Sequence, residues 1–176
     1  RVEYSLDGGT SYTPTGKYAA NQNFNLNTSG LAEGQTNILL RAVYNNGLTG
    51  AASQAVIYKD TLNPTVSLSN VQDNQEVESN LLLRGLIEDT NLVSWQVEVK
   101  DNFLSSYIEV LSSDDISGSN KNITGDGTDP YGTIGTIDLT NPDYHIGIGD
   151  RFYLKITATD AAGLQTVHTM RLTREE

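Results

Sequence analysis

Cysteine is absent from this 176-residue sequence. Disulfides, thiolate metal sites and a thiol nucleophile are therefore excluded. Methionine and tryptophan occur once each, and proline four times. Basic residues are few: 11 Lys and Arg stand against 22 Asp and Glu, for a formal net charge of −11. That balance argues against nucleic acid as a partner, whose expected footprint is a basic patch. It argues equally against anionic membrane surfaces. No apolar run approaches the roughly 18 residues of a membrane span, so no membrane insertion is expected of this segment. No signal-peptide pattern is visible and the sequence starts at Arg1 without Met, which reads as a fragment of something longer.

What is present is Thr, Ser, Asn and Gly in quantity, with apolar residues at period two in short runs. Gly, Asn and Asp divide those runs. The pattern predicts an all-β sandwich or barrel. Val2, Tyr4 and Leu6 alternate with Glu3 and Ser5, and Asp7-Gly8-Gly9 turns the chain, a strong hairpin signal. Residues 11–17 read as a short polar edge strand, and Phe24 and Leu26 as part of another. Ile38, Leu40 and Ala42 face one way in a strand that ends at Asn45-Asn46-Gly47. Residues 55–59 return the chain.

Pro64 disfavours helix at Asn63 and marks a linker followed by a new first strand. The expected division is 1–62 and 63–176. The second part holds seven strand patterns, labelled A to G, close in size to an immunoglobulin-like sandwich. Val93, Trp95, Val97 and Val99 form the strongest alternation, on strand C. Gly85 sits on strand B where a side chain is not expected to fit. Residues 112–132 are polar, without clear structure, and read as a flexible insertion.

The two parts repeat. Val2, Tyr4 and Leu6 align with Val93, Trp95 and Val97, while Leu40, Ala42 and Gly47 align with Ile156, Ala158 and Gly163. The first part then begins at strand C and lacks A and B. Its apolar faces are expected to be partly uncovered, unless the parent protein or a partner supplies strands. The fold class expected is an immunoglobulin-like β-sandwich, one complete seven-strand domain preceded by a partial one.

Val2-Glu-Tyr-Ser-Leu-Asp-Gly-Gly9, Leu83-Arg-Gly-Leu-Ile-Glu-Asp89 and Ile156-Thr-Ala-Thr-Asp-Ala-Ala-Gly163 resemble the tandem bacterial immunoglobulin-like repeats of surface proteins and adhesins. Asp60-Thr-Leu-Asn-Pro-Thr-Val66 resembles the joint between successive repeats. The resemblance implies a non-enzymatic module in an extracellular or cell-surface setting. It implies no particular ligand, because such repeats serve as stalks as often as binders; the partners considered are neighbouring repeats of the same chain and, for a binder, a protein or glycan ligand. The alternative reading is an accessory module, glycan-binding or merely positioning, of a secreted polysaccharide-active enzyme.

The search for chemistry yields carboxylates. His145 and His168 lie in different elements, and no Gly-x-Ser-x-Gly elbow accompanies them. A catalytic triad is therefore not expected. Gly147-Ile-Gly149 precedes a strand, so it is no phosphate cradle. In an immunoglobulin-like order, the B–C, D–E and F–G loops share one end. That places Asp89, Asp126, Asp129 and Asp160 together, with Asp60 arriving from the linker. Hard oxygen ligands from several loops suit Ca²⁺. Calcium held by Asp60, Asp89, Asp160, Asp126 and Asp129 at the inter-domain joint is the one cofactor expectation. The competing reading is turn chemistry, in which each Asp braces its own loop.

Overall fold

The computed structural model describes residues 1–18, 22–103, 106–116 and 119–176. They separate into two units, Arg1–Thr61 and Leu62–Glu176. In the first, β1 (Val2–Ser5), β2 (Thr13–Pro14), β3 (Gly34–Ala42) and β4 (Ser53–Lys59) form one antiparallel sheet in the order β2-β1-β3-β4. Val2 pairs with Ala42 and Tyr4 with Leu40, so these four side chains share a face. Ile38 is the one buried apolar residue among the described residues of this unit. Phe24 and Leu26 belong to no strand; instead Phe24 stacks on Tyr4 with ring centroids 5.8 Å apart. The expected strand there is thus replaced by an irregular segment that partly covers the sheet.

The other face of this sheet is polar and closely held. Glu3 and Ser5, which alternate with the apolar set, are 4% and 2% exposed. Glu3 bonds Arg1 and Arg41, each at 2.9 Å, and the Arg41 guanidinium lies 3.5 Å from the Tyr12 ring centre. These cations hold the Glu3 carboxyl below its usual value. Two basic groups and a ring therefore do here what a second sheet does in a sandwich: they cover the strand.

The second unit is a complete sandwich. Its strands are β5 (Thr65–Leu68), β6 (Glu76–Val77), β7 (Asn80–Glu88), β8 (Leu92–Asp101), β9 (Ile108–Ser112), β10 (Gly132–Asp138), β11 (Arg151–Asp160) and β12 (Gln165–Arg174). One sheet has the order β10-β7-β5 and the other β6-β12-β11-β8-β9. Period-two alternation puts Val97, Val99, Leu154, Ile156 and Leu172 between the sheets, facing Leu83 and Ile87, all at most 1% exposed. Each such side chain contributes roughly 1.5–3 kcal/mol on burial. Trp95 joins this core, and its indole N–H donates to the Lys121 carbonyl at 2.9 Å.

β9 pairs with β8, through Val97 and Leu111 among others, and so belongs to the larger sheet. Alternation fixes which face of a strand is apolar but not which sheet the strand joins, and that choice is made by pairing. The smaller sheet consists of β5, β7 and β10 alone.

Residues 112–132 also differ from expectation; Ser117 and Gly118 lie outside the described residues. Ile123 bridges Ile87, and Ile116 and Ile123 pack against the core. The Lys121 ammonium donates to the Ser113 and Ile116 carbonyls, both at 2.8 Å. The stretch has few apolar residues, but those few are placed as plugs. At the opposite end, Arg174 donates to the carbonyls of Leu139 and Ile146 and to Ser79 Oγ.

The two units share a strand order. The order β2-β1-β3-β4 of the first unit matches β9-β8-β11-β12 of the second. Ala42 and Ala158 occupy the same place, but Ala42 pairs with Val2 whereas Ala158 pairs with Trp95. Val2 thus corresponds to Trp95 and Tyr4 to Val97, two residues from the alignment expected from sequence. A two-residue slip keeps every side chain on its own face, so the apolar pattern alone does not detect it.

Two predictions follow from this packing. A Cβ on Gly85 would lie 2.4 Å from the Ser67 carbonyl oxygen and 3.0 Å from Ile134 Cδ1. Gly85→Ala should destabilise the second unit by roughly 1–3 kcal/mol in urea titration, and an unchanged midpoint would contradict the packing. Deleting residues 115–128 should lower the melting temperature sharply or abolish folding, because it removes two core contacts and the Trp95 acceptor. A deletion variant that melts like the parent would restore the reading of a dispensable insertion.

Candidate metal centre

β11 ends in a tight turn that its own sequence builds. Asp160 N donates to the Leu164 carbonyl and Gly163 N to the Asp160 carbonyl, at 3.1 and 3.2 Å. Gly163 has φ of 83°, a left-handed conformation that glycine adopts without strain. The first unit makes the same turn: Tyr44 N donates to the Leu48 carbonyl and Gly47 N to the Tyr44 carbonyl, with φ of 81° at Gly47. Asp160 therefore stands where Tyr44 stands.

The Asp160 side chain adds a second layer to its turn. Oδ1 accepts from the main-chain N–H groups of Ala162 and Leu164, both at 2.8 Å. The residue is 3% exposed. Its Oδ2 is buried and has no hydrogen-bond partner among the described residues. Burying a charged group costs free energy unless each polar atom is satisfied, so this oxygen calls for an explanation.

Asp89 follows β7 and opens the neighbouring turn. Its Oδ1 accepts from Asn91 N at 2.7 Å, a local brace typical of Asp in turns. Asn122 clamps its main chain: Asp89 N donates to Asn122 Oδ1 and Asn122 Nδ2 donates to the Asp89 carbonyl, both at 3.2 Å. The bridge from Ile123 to Ile87 sets Asn122 in place. The two turns are joined by Ala161 N donating to the Asn91 carbonyl at 3.0 Å.

These turns bring a carboxylate oxygen of Asp89 within 4.8 Å of one from Asp160. Two full charges at that separation repel by about 3 kcal/mol at an effective dielectric of about 20. No Lys or Arg forms an ion pair with either residue among the described residues. Asp89 lines two open clefts. One, of about 420 Å³, is walled by Leu62, Asn63, Thr65, Glu88, Thr90 and Asn122. The other, of about 340 Å³, includes Ser119, Asn120 and Lys121. The site is thus oxygen-only in its donors, acidic, and open to solvent on the Asp89 side.

Two of the expected ligands, Asp126 and Asp129, lie elsewhere. Asp126 Oδ1 accepts from Thr128 Oγ1, Thr128 N and Asp129 N, at 2.6, 2.9 and 3.0 Å. Asp129 pairs with Arg84 at 2.8 Å and accepts from Tyr131 N. Both are committed to a loop beside the middle of β7, and neither joins Asp89 and Asp160 in the acidic group. Asp60 is half-buried, one residue past β4 in the first unit. Asn122 escaped the sequence reading, since nothing in an Asn-rich chain distinguishes a clamping amide from a solvated one.

No family profile and no curated protein matches this sequence. Among solved structures, the chain is similar to the endo-beta-1,4-mannanase from Thermotoga petrophila, at 14% identity and a TM-score of 0.43. That match covers 67% of this chain and 21% of the mannanase, so the chain spans about a fifth of that enzyme's length. It is also similar to CopC from Methylosinus trichosporium OB3b, at 12% identity and a TM-score of 0.35, over 63% of this chain and 94% of CopC.

The three donors around Asp126 hold its pKa down from 3.8 to about 2. A carboxyl whose folded pKa is depressed stabilises the fold above its unfolded value and loses that contribution as pH falls through the folded value. The window here runs from near pH 4 down to about pH 2. NMR titration of the Asp126 carboxyl carbon should give a midpoint near 2, and Thr128→Val should raise it. A wild-type midpoint near 4 would show that the loop does not hold this carboxylate.

Proposed function

We propose that this chain is a non-enzymatic, structural or adhesive immunoglobulin-like repeat module of a bacterial surface or secreted protein. The observation that supports the reading is the repetition itself. Two consecutive units share one strand order, β2-β1-β3-β4 in the first and β9-β8-β11-β12 in the second, and the same turn between the last two strands, with matching main-chain bonds. A repeated sheet whose members differ in their loops suits a series of modules that sets spacing and presents surfaces. The partners consistent with it are neighbouring repeats and a protein or glycan ligand. The net charge of −11 supports solubility over adsorption to acidic surfaces.

Antibodies against the chain, applied to intact cells of the producing organism, test this reading. Labelling of unlysed cells, or recovery of the protein from culture fluid, is the expected result. Labelling only after lysis would contradict it. Electrophoresis of the chain through gels containing soluble polysaccharides separates the accessory-module alternative, for which specific retardation is expected. An adhesive or spacing module without a glycan ligand migrates unretarded.

A further inference from the structure

We infer that Asp89 and Asp160 bind a hard divalent cation, of the calcium type, where the turns after β7 and β11 meet in the second unit. The inference does not rest on the functional reading above.

The first argument is the division of labour within Asp160. Its Oδ1 is satisfied by two main-chain N–H groups, while its Oδ2 is buried without a partner. A turn brace needs only the first oxygen. The first unit supplies the internal comparison, because Tyr44 closes the same turn with the same main-chain bonds and no carboxylate. The turn therefore does not account for a buried acid at this position. The second oxygen calls for a positive partner, and no ion pair to Asp160 exists among the described residues.

The second argument is the placement of another carboxylate within 4.8 Å. Two acids brought this close repel each other, and the repulsion becomes attraction when a cation lies between them. The main-chain clamp from Asn122 and the Asx turn at Asn91 hold Asp89 in that position. It is fixed by bonds that do not consume its second oxygen.

The third argument concerns which ion. All the side-chain donors are oxygen, and no histidine belongs to the group. The chain has no cysteine. Zinc and copper sites draw on nitrogen and sulfur, whereas calcium takes six to eight oxygens in adaptable geometry and accepts water for several of them. The clefts that Asp89 lines admit that water. Two protein carboxylates completed by water describe a weak site, with a dissociation constant of about 0.1–1 mM, the range of extracellular modules.

The experiment uses the full chain, stripped with chelator and titrated with CaCl₂ by calorimetry and thermal melting. One saturable ion per chain is expected. The melting temperature should rise by about 3–8 °C at 10 mM CaCl₂. Asp160→Asn keeps the Oδ1 acceptor, and so the turn, but should remove the calcium-dependent rise. Asp89→Asn should remove it too, and serves as the readout if the first variant folds poorly. NaCl at matched ionic strength should give a much smaller rise, because it only screens the net negative charge. The inference is overturned by a wild-type chain whose melting temperature ignores calcium. A rise reproduced by NaCl, or one that survives in both variants, overturns it as well.

Discussion

A β-sheet with an apolar face is stable only when something covers that face, and the differences between the two units follow from how each meets this demand. The central pair is β8 against β11 in the second unit and β1 against β3 in the first. In the second unit the inner face of that pair carries Trp95, Val97, Ile156 and Ala158, all buried beneath a second sheet. In the first unit the corresponding residues are Val2, Tyr4, Leu40 and Ala42. None of the four is fully buried, and the covering element is an irregular segment that brings Phe24 onto Tyr4. The same strand design thus yields a dry interior in one case and a half-covered sheet in the other.

The outer faces compensate differently as well. In the first unit Glu3 lies between two arginines, with Tyr12 capping one of them. In the second, Glu98 pairs with Lys155 across the strands at 2.7 Å, and the Lys155 ammonium sits 4.1 Å from the Tyr107 ring centre. Each outer face therefore has an acid, a base and a tyrosine in one stack, and half-burial lowers the local dielectric enough for such a stack to matter. The turns at the end of the central pair are where the units diverge chemically. One ends at Tyr44 and the other at Asp160, whose Oδ2 is buried without a hydrogen-bond partner among the described residues.

Much of this was legible in the chain. Alternation located the long strands, Asp7-Gly8-Gly9 and Asp160 to Gly163 located turns, and Gly85 announced a close approach that the Ser67 carbonyl makes real. The carboxylates Asp89 and Asp160 were found because strand order alone brings the two turns to one end. The failures share a cause, which is that period two is blind to pairing. It does not say which strand lies beside which, nor detect a slip of two residues between the two sheets. Composition misled at Ile116 and Ile123, two apolar residues in a polar stretch that happen to be the ones facing the core. Nor does composition indicate that Glu3 is covered by Arg1 and Arg41. Asp126 and Asp129 were assigned to the wrong place because the loop that carries them runs back along β7 to Arg84.

Native-state hydrogen exchange tests the central claim, that coverage of the shared sheet sets the stability of each unit. Amides of β8, β11 and β12 should exchange only through global opening of the second unit. The hydrogen-bonded amides of β1, β3 and β4 should exchange much faster, at an opening free energy well below that of the sandwich. Equal protection in the two sheets would contradict the account, because it would mean that the irregular cover over Tyr4 and Leu40 is as effective as a second sheet.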